Sequence, residues 1–351
     1  MTMADTAYPP YVSTLGYAEQ CSPAPGLILG AMCYAFAYKV TDTARLQATV
    51  DHFLNEPPGG KVTYKLLGEL VFNTFLHAEK LTSGAEAIGW QPDYEAAFWV
   101  PLHASGPEPG DDRLVFWMPY VALSVSEGMV TGREIWGFPK QVGEVDVATV
   151  DGATMRFESR AMVYDPLATE TQGRVEPLVT VTGPAKAGGL VADWDSITGA
   201  MSGMHDLWTG GDDGFRLGSG FFLNTLDEVI HGEVALVNLK QFRDAWDSTK
   251  ACYQALIEGP CKVQSLRGGG LLPEGFSATI PDWASHRIAY HLGLPMEEAI
   301  PAVFGTWVAM DFAAMPGREV WKNHGGSEPP PPASGCLNLP ALLRKLFGGG
   351  R

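Results

Sequence analysis

Apolar and polar residues alternate on both sides of Asp151-Gly152, and no other feature limits the possible folds of this chain so sharply. Before the dipeptide, Val145, Val147 and Thr149 alternate with Glu144, Asp146 and Ala148. After it, Met155, Phe157, Ala161 and Val163 alternate with Arg156, Glu158 and Arg160. Period two on both sides of a dipeptide that tolerates positive φ specifies two antiparallel strands with one buried and one wet face. Further strands are expected at Leu178–Val181, Glu233–Phe242 and Cys252–Leu256, and the apolar run Pro25–Tyr38 reads as a buried strand. That run is too short to span a bilayer, and no Lys or Arg precedes Lys39, so it lacks the basic flank of a secretory leader. The cytoplasm is the expected location. Helices are expected at Thr41–Leu54, capped by Asp42 and ended by Pro57 to Gly60, and near Ser285–Leu292. Strands dominate with a few helices, and the regular strand–helix alternation of a doubly wound sheet is missing.

The composition allows a sizeable core, since 46% of the 351 residues are hydrophobic and 18% are charged. A net charge of −16 argues against nucleic acid and anionic membranes as partners. Cys21, Cys33, Cys252, Cys261 and Cys336 are widely spaced and odd in number, which gives neither a disulfide framework nor a zinc knuckle. The glycine-rich pieces Gly210–Gly220 and Gly268–Gly270 lack the GK[ST] ending of a phosphate loop and read as plain loops. No HExxH pair or GxSxG elbow occurs, so no metal site is expected and the commonest serine hydrolase signature is missing. Three stretches are expected: an N-terminal arm over 1–24, one domain over 25–300, and a C-terminal extension over 301–351. The extension holds a Pro/Gly-rich linker at 325–335 and a short amphipathic segment at Leu337–Phe347.

Chemistry is concentrated in Gly132–Lys140, GREIWGFPK. A lysine by itself is most often a solvated surface group. Here Pro139 fixes the backbone just before Lys140, and Trp136 and Phe138 offer a dry wall beside it. An amine becomes nucleophilic near neutral pH when desolvation or a neighbouring cation lowers its pKa.

The string GRE-x-x-x-x-PK resembles the Schiff-base segment of the acetoacetate decarboxylase family, whose reactive lysine follows the proline. The resemblance implies Lys140 as the nucleophile. It also implies Glu95 as the acidic partner, because Tyr94–Pro101 (YEAAFWVP) matches the family's glutamate ahead of an aliphatic-proline pair. Similarity is diffuse elsewhere between residues 28 and 295. The implied fold is α+β, an antiparallel β-barrel or cone with flanking helices, assembled as a homo-oligomer. No cofactor is implied, since the lysine itself supplies the electron sink.

Two departures separate the chain from the family decarboxylase. Gln141 stands where the family has a second lysine, and the alignment puts Ala31 where it has an arginine. Gln141 is expected to present its amide to a substrate oxygen, and Arg133 either to hold Glu134 or to meet a substrate carboxylate. Trp136 and Phe138 complete the expected substrate-binding set. The resemblance thus implies a Schiff-base lyase for a keto acid or related carbonyl compound, decarboxylase-like or aldolase–dehydratase-like. The alternative is a non-catalytic small-ligand-binding protein on the same fold.

Overall fold

The computed structural model describes residues 10–14, 16, 20–106, 112–185, 233–296 and 298–323. Gly210–Gly220, the 325–335 linker and the segment Leu337–Phe347 lie outside the described residues. Strand β1 (Gly26–Lys39) occupies the apolar run expected to be buried, and α1 (Thr43–Val50) follows at once. Asp42 caps α1, its Oδ1 accepting from the Arg45 amide at 2.9 Å, while Leu46 and Val50 turn inward. The helix widens into a π-type turn over Asp51–Asn55 instead of running on as α-helix.

The remaining strands in the first half are β2 (Thr63–Leu66), β3 (Leu70–Ser83), β4 (Gln91–Ser105) and β5 (Arg113–Leu123). After α2 (Ser126–Thr131) come β6 (Lys140–Asp151), β7 (Thr154–Val163), β8 (Arg174–Pro184), β9 (Glu233–Arg243) and β10 (Ala251–Leu271). The last elements are β11 (Ser277–Thr279), the single turn α3 (Ile288–His291), β12 (Ile300–Pro301), β13 (Phe304–Ala314) and β14 (Arg318–Lys322).

Backbone pairing runs from β5 through β9, β10, β13, β1, β3 and β4, and β4 returns to β5, so seven strands close a ring. A second sheet branches from it. Beyond the point where β9 pairs with Phe116 and Trp117, the same edge of β5 pairs Val121–Leu123 in parallel with Lys140–Val142 of β6. From there β7, β8, β11 and β12 continue outward.

Alternation along the ring strands gives each one two duties. On β1, Cys33 and Ala35 face the interior of the ring, while Tyr34 and Phe36 face the second sheet and join the core. Phe157 of β7 is the centre of that core, with ring centroids 5.0 Å from Tyr34 and Phe36 and 5.3 Å from Phe75. Glu258 of β10, 3% exposed, pins other elements to the ring. It accepts from Tyr64 Oη at 3.0 Å, Arg113 Nε at 2.8 Å and Arg318 Nη2 at 3.0 Å. A carboxylate so deeply buried is tolerable only with such partners.

Four expectations are corrected. The domain does not stop at residue 300, because β13 is inserted between β10 and β1 and is part of the ring. Gly268–Gly270 is not a loop but strand, paired with Ala309, Val308 and Trp307 across a register shift after Leu266. The hairpin turn lies one residue later than expected. Asp151 pairs with Thr154, and Gly152 at φ +61° is the first of the two turn residues. Glu158, expected on the wet face, is buried, accepting from Thr180 Oγ1 at 2.8 Å and pairing with Arg156. No helix among the described residues is long and apolar enough to cross a membrane.

Candidate functional site

The segment leading to Lys140 is held from several sides. Helix α2 runs into a π-type turn over Gly132–Trp136, and Gly137 ends it in the left-handed region at φ +78°. Any side chain at Gly137 would also strike the backbone of Lys240, its Cβ falling 2.5 Å from the Lys240 Cα. The Phe138 amide donates back to the Gly132 carbonyl at 3.1 Å, and β6 opens at Lys140, opposite Val121. Gly132 makes room for the lysine itself. A Cβ there would lie 2.6 Å from Lys140 Cδ. Trp136 is fixed by its Nε1, which donates to the Met315 carbonyl at 2.8 Å.

Lys140 Nζ donates to Glu95 Oε2 at 2.8 Å, with the two side chains only 14% and 17% exposed. The same ammonium sits 5.4 Å from the Phe138 ring centroid, close enough for a cation–π contact. Glu95 belongs to β4, and two residues earlier on the same face is Asp93, which is 5% exposed. Burial and then repulsion from Glu95 push the Asp93 carboxyl up to about 7, against the opposing pull of Lys140 and the Ser124 hydroxyl. Asp93 was not among the residues expected from the sequence. Its signal was the period-two pair Asp93-x-Glu95 on one strand face. Glu127 of α2 adds a third acid, and accepts from Gln91 Nε2.

These groups stand at one end of a cavity of about 420 Å³ enclosed by the ring. Cys33 and Cys261 also line it. Burial, reinforced by Glu95, pushes both thiols up to about 12, so they stay protonated and are poor nucleophiles. Ser22 lines the cavity, and its amide donates to Thr131 Oγ1 at 3.1 Å.

Of the residues expected from the sequence, Lys140, Glu95, Trp136 and Phe138 come together on the cavity wall. Gln141 and Arg133 do not. As the next residue of β6, Gln141 points to the opposite face, where its Oε1 lies 3.0 Å from His286 Nε2. Arg133 is exposed, and its Nη1 donates to the Lys140 carbonyl at 3.2 Å. It makes no ion pair with Glu134 and steadies the backbone from outside. Ala31 is fully buried opposite Met310 on the same face of β1 as Cys33 and Ala35, so this position brings no cation to the ring interior. Among the described residues, no group of three or more His, Cys, Asp or Glu is arranged to hold a metal ion.

Asp93 gives a pH signature. Its folded-state pKa lies above its unfolded value, so the stability linked to its protonation is complete below about pH 4 and fades as pH rises through about 7. Asp93→Asn, which imitates the neutral acid, should gain stability over wild type as pH rises from 5 to 8. Urea unfolding at several pH values measures this, and a difference that is flat with pH would mean that Asp93 is ionised throughout.

No protein-family model and no curated protein matches the sequence. Solved structures do match in shape. Acetoacetate decarboxylase from Legionella pneumophila superposes with a TM-score of 0.56 at 15% identity, covering 90% of this chain and 100% of that one. The enduracididine biosynthesis enzyme MppR, with HEPES bound, gives 0.53 at 14% identity over 90% of this chain and 98% of its own. An acetoacetate decarboxylase-like enzyme from Sphingomonas wittichii RW1 gives 0.52 at 14% identity, covering 88% and 98%. The ring, the branching sheet and the enclosed cavity together form an acetoacetate decarboxylase-like fold.

Proposed function

We infer that this protein is a Schiff-base-forming lyase that attacks a carbonyl substrate through Lys140. The observation that carries this reading is one lysine, 2.8 Å from a carboxylate, on the wall of an otherwise largely apolar cavity. Transfer of a proton from Lys140 to Glu95 leaves a free amine beside a neutral acid, without separating charge. The amine adds to the carbonyl carbon, and the Glu95 proton leaves with the former carbonyl oxygen as water, giving an iminium. Trp136 and Phe138 keep bulk water from reversing that step.

The iminium then accepts an electron pair. In a decarboxylase-like reaction the pair comes from the bond to departing CO₂. In an aldolase–dehydratase-like reaction it comes from an α-carbon–hydrogen bond, with the proton passing to Glu95 and the resulting enamine attacking an aldehyde. MppR, one of the similar folds, has been seen with the condensation product of pyruvate and imidazole 4-carboxaldehyde, which favours including the second branch. Asp93, beside Glu95 and able to exchange a proton near neutrality, suits a second proton transfer.

Reduction with cyanoborohydride in the presence of a panel of carbonyl compounds should fix a covalent adduct on Lys140, located by mass spectrometry of the digest. An adduct that persists in Lys140→Ala, or no adduct with any compound, returns the protein to the class of non-catalytic binders. Glu95→Gln should still form the adduct while turnover falls about 100-fold, a usual scale for loss of a general acid–base. Normal turnover in that variant would remove Glu95 from the mechanism. Gly132→Ala should slow adduct formation by about tenfold or more while the protein stays folded, since the new methyl displaces a flexible side chain and not backbone. Unchanged trapping there would show that Lys140 reacts from another rotamer.

A further inference from the structure

The charged groups of the cavity do not suit an anionic substrate. Among the described residues of its lining, Asp93, Glu95 and Glu127 are acidic and Lys140 is the sole Lys or Arg. That one cation already faces Glu95 at 2.8 Å. After Schiff-base formation the positive charge remains on the same nitrogen, so it adds no counterion for a carboxylate. The two side chains expected to meet a substrate oxygen, one by charge and one by its amide, are directed elsewhere. Arg133 is exposed and bound to the Lys140 carbonyl, and Gln141 is bound to His286 on the far face of β6. A substrate carboxylate would lose its hydration and meet like charge, which apolar walls intensify rather than screen.

Away from Lys140 the lining is almost wholly apolar. Leu114, Phe116 and Met118 of β5, Leu236 of β9, and Phe304 and Val308 of β13 all face inward. The inward-facing residues of β13 run from Phe304 to Ala314, about 33 Å of strand at its usual rise. The cavity therefore extends from the reactive end along the ring, and offers an apolar chain a dry bed.

We propose that the carbonyl compound bound at Lys140 is a neutral aldehyde or ketone carrying an extended apolar chain, and not a keto acid. This rests on the reading of Lys140 as the Schiff-base nucleophile. The first step balances: the ammonium and the carbonyl yield an iminium and one water, and the single positive charge is retained. A substrate without a carboxylate has no CO₂ to lose. The iminium is then relieved through its α-carbon, with the proton going to Glu95 and a neutral enamine left for carbon–carbon bond formation.

The test compares 2-octanone with 7-oxooctanoate, which differ by a terminal carboxylate too remote to change carbonyl reactivity. Pyruvate, acetoacetate and shorter 2-alkanones complete the set. Cyanoborohydride trapping on the full-length protein should favour 2-octanone over 7-oxooctanoate by at least about tenfold. At subsaturating ketone, the rate should rise about fourfold per methylene from 2-butanone upward. Non-covalent binding to Lys140→Ala, read from tryptophan fluorescence, should follow the same order, because Trp99 and Trp136 line the cavity. Efficient trapping of the keto acids with none of 2-octanone would overturn the substrate proposal and leave the Schiff base standing. Preferential binding of 2-octanone without any reducible adduct would overturn the Schiff base and leave a carrier of neutral apolar ligands.

Discussion

Everything in this architecture depends on β5 having three partners. One edge pairs with β4 along almost its whole length, and the other is divided between β9 near its middle and β6 at its end. The first pairing and the second close the ring. The third starts the outer sheet and places the first residue of β6, Lys140, at the junction. A strand with both edges hydrogen-bonded and both faces covered must be apolar nearly throughout, and RLVFWMPYVAL meets that demand. The lysine is thus held by main-chain ladders that no surface loop provides.

The ring also explains why so large a cavity coexists with a well-packed core. Side chains on one face of β1 and β3 press against Phe157 and its neighbours, and the intervening ones face a space that the ring keeps open. The core supplies cohesion while the cavity contributes little of it. Within the cavity, charge is confined to one end. There Glu95 and Lys140 compensate each other, burial raises the Asp93 carboxyl to about 7 so that it carries only part of a charge, and Glu127 is met by the Gln91 amide. Burial of four ionisable groups is bearable because so few carry uncompensated charge.

Much of this was legible in the sequence, for local reasons. The alternation around Asp151-Gly152 marked β6 and β7, Asp42 marked the start of α1, and Gly132 and Gly137 beside Lys140 each have a steric role. What was missed depends on parity and on distant partners. Whether Gln141 faces the cavity is decided by the period of β6, since adjacent residues of a strand cannot share a face with Lys140. Arg133 looked available only because the Lys140 carbonyl, its partner, has no side-chain signature. The place of β13 was hidden because one of its two partners, β1, is at the other end of the chain.

That last feature governs the order in which the molecule can be assembled. Gly26 pairs with Ala314, so the first strand of the ring waits for almost the last before its second edge is satisfied. On a ribosome, β1 can dock early on β3 but must leave its other edge open while β4 to β10 are made. Joining ends so far apart costs chain entropy that only the finished ladder repays. The enclosed space around Lys140 is therefore a late product of folding, formed at the moment the two termini of the domain meet.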